Sequence, residues 1–368
     1  MKIIKATITT IIIAANAIAA VAMITCAYAS TIHPAEYPSC SYLGMLLPAT
    51  IFINLGFILL WLFIKKFWTI ISIASLIICY MPIRDYCPVN IMQDTPSENS
   101  LKLLSYNVMG FGSKNSGWED NAILHYLTNS GADIICLQEA YNISNTQIQD
   151  ILHEHYPYIS ICKTAESHLA VVSRLPIVDT LDIDFPESTN HCCMFKVKTD
   201  NGDTIAIFNT HLESYHLTAT DRDTYDDMLR EAAGRKEHTD TLANGEGWDQ
   251  AFFTLTDKLE KANVTRSHQA DTLAGVINQT REKYIIVCGD FNDTPLSYTH
   301  RTLTQNLNDA YTMTGNGPGI SYNKSGMWFR IDNILMSPEM ESYKAKVDNK
   351  ISVSDHYPIS CYLKICEK

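Results

Sequence analysis

The chain has no Cys-x-x-Cys pair and no Cys/His run of zinc-finger spacing, so no locally encoded zinc module is present. Its eleven cysteines are an odd number, which excludes a framework in which every thiol pairs within the chain. Cys26 and Cys79 lie inside long apolar runs, and Cys136 and Cys288 inside short ones, where a free thiol packs as a small hydrophobe. Among the other seven, Cys162, Cys192, Cys193, Cys361 and Cys366 of the later part of the chain look free to pair. Charge is scarce at the start: residues 1–91 hold five of the 28 basic and two of the 40 acidic residues. That leaves 23 basic against 38 acidic in the remainder, a net of −15. A basic excess is therefore missing where nucleic acid gripped by counterion release would require one. A nuclease whose metal ions offset local repulsion is still allowed.

What the first ninety residues do have is apolar length. Residues 3–29, 44–64 and 67–83 are nearly uncharged runs, and a bilayer core needs about 20 such residues per helix. Three spans are expected, the third at the short end of the range and joined to the second by Lys65 and Lys66 alone. Lys2 and Lys5 precede the first span, whereas the loop from Ser30 to Tyr42 has no Lys or Arg. The positive-inside rule then places both lysine sites in the cytoplasm and everything after the third span outside; Arg84 is a weak contrary signal. Ala27-Tyr28-Ala29 has the small-x-small form of a signal-peptide cleavage site, but the apolar stretch exceeds the roughly 7–15 residues of such a signal. Cleavage would not change the side on which the domain lies. Past Lys5 no ionisable side chain interrupts the spans, which argues against a transport path through them.

The polar stretch 93–100 (QDTPSENS) has the composition of a linker. Residues 101–368 then form one domain, long enough for a full α/β core. Strands are expected at 101–108, 133–138, 168–173, 177–183, 193–198, 204–209, 284–288 and 331–336, with helices at 118–129 and 264–278. Many short strands and few helices favour two packed β-sheets flanked by helices over one doubly wound sheet. A charged stretch at 214–265 breaks the rhythm and is expected to be a partly helical insertion beside the site.

Acids, amides and imidazoles recur at the ends of these apolar runs: Asn107, Glu139, His211, Asp290 with Asn292, Asp332, and Asp355 with His356. Strand ends are where α/β proteins build sites. A carboxylate-rich set with two histidines and no thiolate pair suits a hard cation such as Mg²⁺, with Mn²⁺ as a substitute, and phosphoester cleavage. Taken singly, Asn107 could be a turn residue and Asp290 an Asx turn. Asp332, inside an apolar strand, is harder to dismiss, because an unpaired buried carboxylate is costly. His168 is expected to be structural, and Glu213 and Arg266 to lie at the surface or behind the site. His153, His155, His216, His238 and His268 show no ligand spacing.

The segments SYNV, LQE, SRLPI, NTHLE, GDFND, RIDNIL and SDHYP resemble, in order and approximate spacing, the endonuclease/exonuclease/phosphatase family across about residues 101–365. The resemblance implies a DNase I-like four-layer sandwich preceded by the membrane part. It also implies that Asp290 orients or activates water, that Asn292 contacts phosphate, and that His356 with Asp332 forms an imidazole–carboxylate pair. His211 would serve as phosphate ligand or leaving-group acid, Asn107, Glu139 and Asp355 would lie on the metal side, and Asn209 would face substrate. NTHLE carries a histidine where the family's abasic-site nucleases carry a Tyr and Asn motif, so the likeness is to the other branches. The expected partners are a membrane and a phosphoester: a lipid headgroup, a nucleic acid or a small phosphodiester. An extracellular nuclease and a catalytically inactive binding module are the alternatives, and no substitution at Glu139, Asp290 or His356 marks the latter.

Overall fold

A computed structural model describes residues 2–91, 94–112, 117–164, 167–186, 188–232, 248–322, 324 and 327–366. His238 and the middle of the stretch expected as an insertion, 233–247, lie outside them; the helix Trp248–Gln279 runs through its expected end at 265. Four helices come first: α1 (Lys2–Tyr28), α2 (Leu47–Ile64), α3 (Thr69–Ile78) and α4 (Tyr80–Tyr86). The first three pack together with their polarity inverted relative to a water-soluble bundle. Ile3, Phe52 and Phe63 face outward, while Asn16, Asn54, Ser72 and Ser75 are buried. Asn16 Nδ2 donates to Ser72 Oγ (2.7 Å), and Trp61 Nε1 donates to Asn16 Oδ1 (2.9 Å). Polar contacts inside and apolar surface outside are what helices in lipid require.

Two stretches, Ile3–Thr31 and Pro38–Ile64, are long and apolar enough to cross a membrane. The expected third span is not one straight helix. The helical stretches Lys66–Ile78 and Tyr80–Tyr86 meet at a 60° bend. Pro82, four residues beyond Ile78, has no N–H for the Ile78 carbonyl and its ring crowds that oxygen. The freed carbonyl accepts instead from Tyr28 Oη at 2.6 Å, so the bend is fixed by α1.

The rest of the chain runs β1 (Leu101–Asn107), α5 (Ala122–Asn129), β2 (Ile134–Gln138), α6 (Thr146–His153), β3 (Tyr158–Lys163), β4 (His168–Ser173), β5 (Ile177–Asp184), β6 (His191–Lys198) and β7 (Thr204–His211). It continues with α7 (Ala219–Ala232), α8 (Trp248–Gln279), β8 (Tyr284–Asp290), α9 (Tyr298–Leu303), β9 (Asn308–Asp309), α10 (Ala310–Thr314), β10 (Asp332–Met336), β11 (Met340–Val347) and β12 (Ile359–Ile365). Two six-stranded sheets result, in the orders β11-β12-β1-β2-β4-β3 and β5-β6-β7-β8-β10-β9. Each is mixed, with a single parallel pair, β1 with β2 and β7 with β8. The strand period of two sends Leu103, Cys136, Val171, Phe195, Ile207 and Ile286 into the core between the sheets. The alternate residues pack outward: Tyr106 and Leu137 against α5 and α6, Phe208 and Val287 against α8 and α9. This is the expected four-layer arrangement.

Among the described residues, the helical bundle and the domain touch at two places. Between α1 and α2, Gly44 packs so closely that a Cβ would stand 2.7 Å from the Leu296 carbonyl oxygen. In the same loop Ser41 Oγ accepts from Asn263 Nδ2 at 2.8 Å. At the end of α4 Arg330 donates to the Asp85 carbonyl, and just beyond it Asn316 Nδ2 donates to the Asn90 carbonyl at 2.9 Å. The α1–α2 loop and the end of α4 therefore meet the same body of protein.

Candidate active site

The parallel pairs decide where the chemistry goes. β1 with β2 and β7 with β8 end at the same edge of the sandwich, and their antiparallel neighbours β10 and β12 begin there. Along the inner face of these strands the apolar core gives way to polar side chains at that edge: Leu103, Ser105, Asn107 on β1; Cys136, Gln138 on β2; Ile207, Asn209, His211 on β7; Cys288, Asp290 on β8; Ile334, Asp332 on β10. The site is the polar end of the intersheet core.

At that edge Asn107 Nδ2 donates to both Glu139 Oε1 (2.9 Å) and Asp290 Oδ2 (3.1 Å). His211 Nε2 lies 3.8 Å from Glu139 Oε1 and 3.7 Å from Asp290 Oδ2. His356 Nε2 stands 3.5 Å from Asp290 Oδ2, while its Nδ1 donates to Asp332 Oδ2 at 2.8 Å. Asp332 and Asp290 are buried. Burial would push the His356 imidazole down, but the Asp332 and Asp290 carboxylates outweigh it and raise it to about 10, which favours the imidazolium form. Burial, joined by the Asp332 carboxylate, moves Asp290 the other way, above the ordinary carboxylate value, against the pull of the two imidazoles.

Local backbone geometry aims these groups. Gln138 points inward, so alternation would send Glu139 outward. Its left-handed φ of 49° turns the carboxylate back to Asn107 instead, a conformation that costs a non-glycine residue on the order of 1–3 kcal/mol and is typical of functional positions. Before Asp290, Gly289 has φ 135°, and a Cβ there would meet the Thr210 carbonyl oxygen at 1.9 Å. Glycine is the one residue that lets β7 and β8 approach this closely. Asn292, with φ 51°, gives its backbone N–H to Asp290 Oδ1 (2.8 Å) and its amide to the Leu212 carbonyl (2.9 Å). Asp355 borders the cleft and pairs with Lys324 at 3.6 Å.

The structure thus brings together Asn107, Glu139, His211, Asp290, Asn292, Asp332, Asp355 and His356. Asn209 is the exception. Its Nδ2 donates to the Leu137 and Ala170 carbonyls, both at 3.0 Å, and its Oδ1 accepts from Gln138 Nε2 at 2.6 Å. It is fully buried, ties the two sheets together beneath the site, and does not face the cleft as expected. Of the two positions expected for Arg266, the surface is excluded: it is fully buried behind the site, paired with Asp293 at 3.3 Å and stacked 4.2 Å from the Tyr215 ring. Glu213, beside it, accepts from Ser188 Oγ.

Glu139, Asp290 and Asp355 offer hard oxygen donors with no sulfur among them; Asn107 would add its Oδ1, which here accepts from the Met109 N–H at 3.2 Å, once its amide turned over; and Asp332 Oδ1 is buried without a hydrogen-bond partner. This chemistry fits a small divalent cation. The cleft beside it holds about 440 Å³. Two of its residues give no sequence signal: Tyr322, whose ring meets His356 edge-on at 5.1 Å, and Arg222, which donates to Tyr322 Oη at 3.3 Å. Arg222 sits in a charge-rich run where no periodicity singles out one arginine.

A family model described as Endonuclease/Exonuclease/phosphatase family matches residues 104–356. The chain belongs to that family. Members of the endonuclease/exonuclease/phosphatase family are typically phosphoester hydrolases. A second model, a domain of unknown function designated DUF8431, matches residues 9–86. No curated protein matches the chain. Among solved structures, an endonuclease/exonuclease/phosphatase family protein from Bacteroides thetaiotaomicron is 18% identical, with TM-score 0.50, over 75% of this chain and 100% of its own. The human Nocturnin catalytic domain with bound sulfate anion is 15% identical, with TM-score 0.50, over 74% and 97%. Humanized D. rerio TDP2 is 14% identical, with TM-score 0.50, over 73% and 100%. At these identities the likeness establishes the fold.

Proposed function

We propose that the protein is a divalent-metal-dependent phosphodiesterase, anchored in the cell membrane with its catalytic domain on the non-cytoplasmic side, and that its substrate couples a phosphodiester to an apolar group, as a lipid headgroup does. The observation that carries this is the wall of the cleft. Met45, from the loop joining α1 to α2, lines it together with Leu217, Tyr225, Leu255, Leu259 and Phe329. An apolar wall that includes a residue of the helical bundle suits a substrate presented from a bilayer better than a polyanion, as does the net charge of −15. A nuclease acting outside the cell is the second reading.

The orientation rests on the two junctions. The domain meets both the lysine-free α1–α2 loop and the end of α4, so α2 leads away from it and the bent α3–α4 pair leads back. Lys65 and Lys66 then lie at the far end of the bundle, on the side that favours positive charge. By this reading residues 1–92 form the membrane region, 93–100 the linker and 101–368 the catalytic domain.

In the reaction, Glu139 with Asn107 and Asp355 would hold Mg²⁺ or Mn²⁺, which when bound stabilises negative charge on the phosphoryl group. Asp290, desolvated and with a raised affinity for protons, takes a proton from the attacking water. His356 presents Nε2–H to a phosphoryl oxygen while Asp332 fixes the ring. His211, across from Glu139, protonates the leaving oxygen, and Asn292 offers its amide to the phosphate.

The test is a substrate panel on the full-length chain in detergent, with Mg²⁺ or with EDTA: sphingomyelin and phosphatidylinositol phosphate vesicles, bis-p-nitrophenyl phosphate, plasmid DNA and RNA. Metal-dependent turnover of a phospholipid is the expected result. Replacing Leu255 and Leu259 with Asp should lower it about tenfold, and by more than turnover of bis-p-nitrophenyl phosphate, since the apolar wall acts through the tail. Turnover confined to DNA or RNA would replace the lipid reading with the nuclease one. No turnover of any arm with Mg²⁺ or Mn²⁺ would end the enzymatic proposal.

A further inference from the structure

We infer that the chain carries a second metal site, for zinc, in the seam where the two sheets meet along β3, β5 and β6, with Cys162, His191 and Asp182 as ligands and Cys193 beside them. Cys162 Sγ, a ring nitrogen of His191 and a carboxylate oxygen of Asp182 all lie within 4.8 Å of one another. Tetrahedral zinc, with bonds of about 2.0–2.3 Å, sets its ligand atoms roughly 3.3–3.8 Å apart, so small side-chain rotations close the set. The seam itself is tight, since Ser160 Oγ of β3 and Thr180 Oγ1 of β5 are hydrogen-bonded at 3.1 Å.

Strand register explains why these donors share a face. Asp182 stands opposite Cys193, and Asp184 opposite His191, in the β5–β6 ladder. Alternation along β6 puts His191 and Cys193 on the inner face, while Cys192 packs outward among Phe208 and Leu273. From the other sheet Cys162 enters the same core.

An independent sign that something is missing is His191 itself. It is 1% exposed, and neither ring nitrogen has a hydrogen-bond partner. Its Nε2 lies 3.9 Å from Asp182 Oδ1, beyond hydrogen-bonding range. Buried polar atoms are seldom left this way, and an ion at this point would take up one of the two. Asp182, 44% exposed at the side chain, leaves an entry path. None of the four residues lines the candidate active site. Sulfur and imidazole donors select zinc, whereas the oxygen donors there select magnesium. A Cys162–Cys193 disulfide would use the same thiols but would leave the His191 nitrogens and Asp182 unexplained.

Full-length protein in detergent, reduced and stripped with chelator, is titrated with Co²⁺ and then with Zn²⁺. A near-ultraviolet thiolate-to-cobalt charge-transfer band is expected, saturating at one ion per chain and erased by Zn²⁺. Cys162→Ser should lose it and Glu139→Gln should keep it. X-ray absorption at the zinc edge should show sulfur at about 2.3 Å. If Cys162→Ser fails to fold, the wild-type cobalt spectrum and zinc edge decide alone. A cobalt spectrum without the thiolate band, or a zinc edge with oxygen and nitrogen neighbours only, would overturn the site. So would a Cys162–Cys193 disulfide in the isolated protein together with no cobalt band after reduction.

Discussion

Asp290→Asn is expected to lower Mg²⁺-supported hydrolysis of bis-p-nitrophenyl phosphate by about 10³-fold or more, mostly in kcat, because it removes a positioned base and a charge that the site is built around. The substitution keeps the side chain's size. What changes is electrostatic. His211 and His356, 3.7 and 3.5 Å from Asp290 Oδ2, both face this carboxylate, and Asn107 Nδ2 donates to it. An amide in its place cannot take the water's proton. A melting temperature within a few degrees of wild type would show that the fold survives, so that the kinetic loss belongs to chemistry. Activity within tenfold of wild type would contradict the role given to Asp290.

Asp309→Ala is expected to cost about 3–5 kcal/mol of stability, since deleting one partner of a buried ion pair strands the other. Asp309 is buried beside Arg330 (3.5 Å) and His300 (3.2 Å), accepts from Thr312 Oγ1 (2.8 Å), and caps α10 through the Tyr311 N–H (2.8 Å). Arg330 is itself buried against the Tyr311 ring and reaches across to the Asp85 carbonyl. Losing Asp309 therefore loosens both the second sheet and its attachment to the helical bundle. Burial would raise the Asp309 carboxyl, but Arg330 and then His300 hold it well below the usual carboxylate range. A depressed carboxylate stabilises the fold above its unfolded pKa of about 3.9, and that contribution is lost as pH falls through the lower folded value. Chemical denaturation at pH 7 should show the full difference between variant and wild type. The gap should narrow below pH 4. A variant as stable as wild type at pH 7 would show that the pair contributes nothing.

The strand ends were readable because Asn107, Glu139, His211 and Asp290 close or follow runs of β-branched and aliphatic residues while Asp332 opens one, and the period of two already sets Asn107, His211 and Asp290 on the same face as the core residues before them. Which edge those ends share was not readable. It depends on the two parallel pairs, and parallel pairing is a long-range property with no local signal. Glu139 lay within reach of sequence reasoning as a residue, but not its aim, which comes from one left-handed φ. Asn209 failed for the opposite reason: it has the right parity, but two residues' depth along the strand separates a cleft-facing His211 from an amide locked between sheets. Arg266 looks like any helix-surface arginine until Asp293, Asn263 and Tyr215 surround it. In the bundle, hydropathy finds α1 and α2 directly, whereas the break near Cys79 depends on Pro82 and on Tyr28 claiming the carbonyl that Pro82 leaves free. The cysteine–histidine seam is spread over three strands in two sheets, so no spacing rule could reveal it.

Mn²⁺ binding to the full-length protein, followed by electron paramagnetic resonance with Mn²⁺ in place of Mg²⁺, tests most directly whether Glu139, Asn107 and Asp355 hold a catalytic cation. A bound, oxygen-coordinated ion is predicted in wild type, retained in Cys162→Ser and weakened at least about tenfold in Glu139→Gln. Equal affinity in wild type and Glu139→Gln, or no bound Mn²⁺ in either, would contradict the account.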